Sequence, residues 1–279
     1  MIYIEKNDKP NFLEKNLCLI KNDKDTIYVP LLNKLSDKKV KKIANRTVKV
    51  INKMSNSKKV VIDKELKKEP LYLNYLNSYD LKISDGKWLF RVMLLDIIDY
   101  IIKKKKLKKP YISILINDLN EIEYENIKKI ARKFNTINII TNHIEKFKKL
   151  ENELYENEGI IITITNNKKK SLKKSNIIIN YDFPDETINK YCINENAIII
   201  NEIFKIKVKN KRFNGLCIND FEIDYRDDIK YNKEFSNRYF YKDIYESNFY
   251  KKQVLDDIYK KIKQDKVIIT KLILNNGEL

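Results

Sequence analysis

From Lys108 onward, short runs of β-branched residues alternate with helical periodicity at a steady spacing, and this constrains the chain more than any other feature. The runs fall at 111–117, 137–141, 160–165, 176–181 and 197–202. Between the first two, Tyr124, Ile127, Ile130, Ala131 and Phe134 recur at three and four residues, as one face of a helix requires. Phe147, Leu150 and Leu154 do the same over 144–156, where Gly159 supplies a helix C-terminus. Apolar strands with helices between them predict a doubly wound parallel α/β sheet.

The stretch 136–180 carries a second pattern. Thr141-Asn142-His143, followed by Glu145-Lys146, stands where a strand turns into its helix, and Ser175-Asn176-Ile177-Ile178-Ile179-Asn180 forms a later strand. The pair resembles the Asn-Arg-Thr turn and the Ala-Asp-Ile-Val-Ile strand in Rossmann domains of the shikimate dehydrogenase and glutamyl-tRNA reductase type. The resemblance covers about a third of the chain. It implies a Rossmann-like fold, NAD or NADP as cofactor, and Asn142 and His143 as cofactor-binding residues on the ribose side. The chain departs from that family at the first turn. There, Ile116-Asn117-Asp118-Leu119-Asn120-Glu121 contains no glycine, and Asp118, Glu121 and Glu123 place carboxylates where a pyrophosphate needs amides. The residues themselves therefore point to no cofactor, with an atypical NAD(P)-dependent oxidoreductase as the alternative.

Ahead of this region the pattern predicts a smaller α/β lobe. Strands are expected at 2–5, 17–21, 26–30 and 59–62, with helices at 37–54, capped by Ser36, and at 71–78 and 87–105. Behind it come a strand at 216–223 and a helix at 243–264. The expected domains are a strongly basic N-terminal lobe (1–85), a connector helix (86–109), a Rossmann-like domain (110–210) and a C-terminal strand with an aromatic-rich helical tail packing back (211–279).

The net charge of +18 is unevenly spread. Residues 1–110 hold 27 Lys and Arg against 13 Asp and Glu, while 111–279 is nearly balanced, so base composition alone does not explain the excess. Val40, Ile43, Ala44, Val48 and Ile51 give the helix at 37–54 an apolar stripe, leaving Lys38, Lys42, Arg46, Lys49 and Lys53 on the other side. Lys58, Lys59, Lys104 and Lys105 extend this set into one expected positive face. The function expected on this ground is a non-enzymatic binding or scaffold protein with a polyanionic partner, nucleic acid among the candidates. A structural protein of a larger assembly, with a protein partner, is a further alternative.

The remaining inventory assigns no metal ligands and no catalytic residues. Cys18, Cys192 and Cys217 show no paired spacing, and His143 is the sole histidine, read here as a solvated residue at a helix start. Alternate carboxylates over 220–224 face away from Phe221 and Ile223, as on a strand with a solvated outer face. No apolar run reaches the roughly 18 residues of a membrane helix, so a cytoplasmic protein with no membrane insertion is expected.

Overall fold

The structure, a computed structural model, describes residues 1–30, 35–55, 59–134, 137–202, 205–225, 237–249 and 254–279. In chain order its elements begin with β1 (Ile2–Lys6), α1 (Phe12–Leu17), β2 (Lys21–Asp23), β3 (Thr26–Val29), α2 (Asp37–Met54), β4 (Lys59–Ile62), α3 (Pro70–Asn77) and β5 (Lys82–Ser84). They continue with α4 (Lys87–Val92), α5 (Leu94–Lys105), β6 (Ile112–Leu115), α6 (Glu121–Lys133), β7 (Ile137–Ile140), α7 (Ile144–Glu158), β8 (Thr163–Thr165), β9 (Ile177–Asn180), α8 (Asp185–Ile188), β10 (Ile198–Asn201) and β11 (Leu216–Asp224). The last are α9 (Tyr241–Ser247), α10 (Leu255–Gln264), β12 (Ile268–Leu274) and β13 (Gly277–Glu278). Two compact units result. Unit 1 comprises Met1–Trp88 with Asp224–Val267, and unit 2 comprises Leu89–Ile223 with Ile268–Leu279.

Unit 1 is built on a five-stranded sheet in the order β2-β3-β1-β4-β5, parallel except for β2 at one edge. Ile2, Ile4, Ile27, Val60 and Ile62 pack with Val40, Ile43, Ala44 and Ile51 of α2 and with Tyr72 and Leu76 of α3. On β4, Val61 packs instead with Tyr239 and Ile244, which brings the C-terminal tail back onto the sheet. Tyr239 also donates its hydroxyl to Glu5 Oε1 at 2.8 Å.

The sheet of unit 2 has the order β13-β12-β11-β10-β9-β6-β7-β8. Counted from β6, its first six strands run 3-2-1-4-5-6, the doubly wound arrangement of dinucleotide-binding folds. Pairing from β8 through β11 is parallel throughout. Strands β6, β7, β9 and β10 are buried at every residue, which explains their unbroken apolar runs. Gly215 leads into β11 where a Cβ would lie 2.0 Å from the Ala197 carbonyl oxygen.

The fold class matches the sequence pattern, and several elements differ in detail. The strand expected at 17–21 is replaced by α1 and a turn, because Asn11 and Glu14 form a reciprocal capping box that starts a helix at Phe12. The helix expected at 87–105 breaks at Met93, whose backbone (φ −88°, ψ 15°) leaves the helical region. Ser36 sits at the N-terminus of α2 but makes no side-chain cap. The tail is not wholly helical: after α10 it crosses to unit 2 and adds β12 and β13. The units thus divide the chain at Trp88, Ile223 and Val267 rather than at 85, 109 and 210, with the helices at 87–105 falling mainly to unit 2.

Candidate functional site

Doubly wound sheets bind ligands outside the carboxyl ends of their strands, where the strand order reverses. In unit 2 that point lies between β6 and β9, and a protein carboxylate fills it. Asp182 Oδ2 accepts the backbone N–H groups of Asn117 at 2.7 Å and Asp118 at 3.0 Å, and Asp182 Oδ1 accepts Asn117 Nδ2 at 3.2 Å. Asn120 then caps α6, its side-chain oxygen accepting the N–H groups of Ile122 and Glu123. The amides that would face a pyrophosphate are therefore already bound by side chains of the chain itself. Asn142 and His143 stand exposed at the end of β7, with the Asn142 N–H donating to Asn117 Oδ1 at 2.9 Å.

Beside this crevice lies a buried ionic cluster that sequence reasoning missed. Arg91 Nε stands 3.0 Å from Glu202 Oε2, and Arg91 Nη1 stands 3.8 Å from Glu123 Oε1. Both glutamates are almost wholly buried. Burial pushes the Glu202 carboxyl well above the ordinary range; Arg91 opposes that shift and Glu123 adds to it. Burial raises Glu123 as well. Two buried carboxyl groups around one guanidinium favour retention of a proton by the pair. Nothing local in the sequence links residues 91, 123 and 202.

The structure separates the expected lysine set. Lys38, Lys42, Lys49 and Lys53 are exposed on α2 at spacings of four, seven and four, which keeps them on one stripe. Arg46 is on the same side, but its guanidinium donates to the carbonyls of Leu17 and Cys18 and so ties α1 to α2. Lys59 is half-buried, donating to the carbonyls of Ser247 at 3.1 Å and Phe249 at 2.6 Å. Burial, with Lys82 nearby, lowers its pKa. Lys104 and Lys105 are exposed on α5, in unit 2. Lys58 lies outside the described residues. Among the described residues of unit 1, the exposed lysines of the expected set are those of the α2 stripe.

Unit 1 also contains a cavity of roughly 850 Å³ along β5. Its walls come from Lys59 on β4, Leu73, Asn74 and Asn77 on α3, Lys82, Ile83 and Ser84 on β5, then Lys87, Trp88, Glu246 and Phe249. The rings of Trp88 and Phe249 are 5.8 Å apart. Lys67, which also lines the cavity, is held by an ion pair at 2.6 Å to Asp243, whose side chain is fully buried. Burial pushes that carboxyl up to about 6 against the pull of Lys67. The volume lies within the ordinary range of small-molecule sites.

Among the described residues no group of three or more His, Cys, Asp or Glu is placed to hold a metal ion. No helix among them is long and apolar enough to cross a membrane. Cys18 and Cys217 are buried and Cys192 is exposed.

The fold and its strand order define a Rossmann-like α/β protein. No family model matches the chain, and no curated protein is similar to it. Solved structures are similar at low identity. Ornithine carbamoyltransferase from Pyrococcus furiosus aligns at 10% identity and a TM-score of 0.30, covering 72% of this chain and 71% of its own. Aspartate transcarbamoylase from Trypanosoma cruzi aligns at 10% identity and 0.29, covering 73% and 72%. Glutamate dehydrogenase from Thermus thermophilus aligns at 6% identity and 0.35, covering 86% and 64%. These neighbours are enzymes, and the expectation of a non-enzymatic scaffold is corrected accordingly. At this distance the likeness transfers no substrate and no residue role.

Proposed function

We propose that the protein binds a small organic anion, a carboxylate or phosphate ester with an apolar group, in the cavity of unit 1. The observation that carries this reading is the half-buried Lys59, anchored by two backbone carbonyls in a cavity that also takes Lys82, Lys87 and the Trp88–Phe249 pair. The held Lys59 ammonium, with the exposed ammonium groups of Lys82 and Lys87, meets the anionic end, and the aromatic wall meets the apolar end. Trp88 is the only tryptophan in the chain, so its fluorescence reports on this cavity. Titration with phenyl phosphate and with benzoate should give saturable changes in emission, weakened in Lys82→Gln and in Lys59→Gln. Saturation by benzylamine but by neither anion would overturn the reading.

A second reading concerns the α2 stripe. Lys38, Lys42, Lys49 and Lys53 present four ammonium groups over about 22 Å of helix, a spacing suited to repeated phosphates. On this reading α2 binds polyanions, nucleic acid included, and the affinity falls steeply with salt. Replacing the four lysines with Gln should abolish the salt-dependent binding and leave the fold intact, since the opposite face of α2 carries the packing.

The dinucleotide alternative, including the finer resemblance to shikimate dehydrogenase, ranks behind both. Asp182 holds the amides of Asn117 and Asp118, and a pyrophosphate would have to displace that carboxylate. Asn142 and His143 are the residues that a ribose would meet if it did.

A further inference from the structure

Helix α1 is inside out. Glu14 is 2% exposed, while Phe12 is 78%, Leu13 57% and Leu17 48% exposed. The inward carboxylate is fully engaged. Asn7 Nδ2 donates to Glu14 Oε2 at 3.0 Å, the Asn11 backbone N–H to the same oxygen at 3.0 Å, and Asn11 Nδ2 to Oε1 at 2.9 Å, with Lys21 paired to it as well. A polar network on the inside therefore holds this short helix in place and directs its apolar side chains to solvent. Leu19 extends the patch at 39% exposed, so four of the ten large exposed apolar residues of the described chain fall within eight positions. Chance scatter on a surface does not need such a framework.

The wedge adjoins the α2 stripe. Arg46, on the lysine side of α2, donates to the carbonyls of Leu17 and Cys18, which places the end of α1 against that face. From this juxtaposition we infer that α1 and the adjoining face of α2 form a docking surface for an anionic lipid bilayer. The inference rests on the polyanion reading of α2 and names the partner. Covered completely, the four side chains supply about 400 Å², half of what one side of a standard protein interface buries. A bilayer surface suits the combination better: Phe and Leu enter the headgroup boundary while lysines lie against acidic headgroups. The contact lies on the membrane and spans nothing, consistent with the lack of a crossing helix among the described residues.

The test is co-sedimentation with vesicles, alongside binding to heparin as a lipid-free polyanion. The intact chain should bind phosphatidylcholine vesicles containing about a third phosphatidylserine and ignore vesicles of phosphatidylcholine alone. Phe12→Ser/Leu13→Ser/Leu17→Ser should bind those vesicles at least about tenfold more weakly while holding heparin as the parent does. Leu13→Ser alone should give a smaller loss, and circular dichroism should show both variants folded. Vesicle binding by the triple variant equal to that of the parent would overturn the inference. Heparin binding without vesicle binding in the parent would sink the lipid inference and leave the polyanion reading standing. Binding to neither would remove both. Self-association of the parent that the triple variant loses, without vesicle binding, would assign the wedge to a protein interface instead.

Discussion

Arg91 Nε lies 3.0 Å from Glu202 Oε2 at the carboxyl end of β10, where that glutamate is almost wholly buried. The raised pKa of Glu202 means that its carboxyl holds a proton more tightly in the folded chain than in the unfolded one. Its contribution to stability is then complete below the ordinary carboxylate range and is lost as pH rises through the raised folded value. Glu202→Gln removes that loss. Urea midpoints at pH 5, 7 and 9 should show the variant gaining on the parent toward high pH, and parallel profiles would refute the assignment.

Asp243 offers a narrower window. Its carboxyl titrates at about 6 when folded, above the ordinary value, so the stability it contributes is present below about pH 4 and lost between there and about pH 6. The full swing is about 3 kcal/mol. Asp243→Asn should flatten that part of the stability curve, as read by thermal melts at half-unit intervals.

Asp182→Ala leaves two backbone N–H groups at the end of β6 without their acceptor. The expected cost is about 2 kcal/mol, read from chemical denaturation. A neutral result would mean that water replaces the carboxylate at no cost.

Gly215→Ala places a methyl group against the Ala197 carbonyl oxygen, a backbone atom unable to swing aside. The β10–β11 pairing must shift, and a loss of about 2 kcal/mol is expected. Amide exchange across Ile198–Ile200 should accelerate in the variant.

The doubly wound sheet was legible because β6, β7, β9 and β10 are buried on both faces, which leaves continuous runs such as Ile177-Ile178-Ile179. The missing glycine at 117–121 was legible for the same local reason. Asp182 was not, since it lies 65 positions from the amide it binds on Asn117. The Arg91, Glu123 and Glu202 cluster exists only once β10, α4 and α6 are assembled. Helix α1 could have been found from Asn11 and Glu14, a capping pair at the right spacing, but the apolar run from Leu17 to Ile20 suggested a strand. Strand β12 likewise left a signal, a β-branched stretch ending in Asn275-Asn276-Gly277, the chemistry of a hairpin turn.

Unit 1 is interrupted between Trp88 and Asp224 by the 135 residues of Leu89–Ile223. At about 5–20 residues per second, a ribosome releases the β1–β5 segment roughly ten seconds or more before the segment carrying Tyr239 and α9. Through that interval Val61 and Glu5 lack the partners that complete their face of the sheet. Neither unit can be obtained by cutting the chain once, and a nascent chain stalled within β6–β11 would display the unfinished sheet as a surface for chaperones to hold.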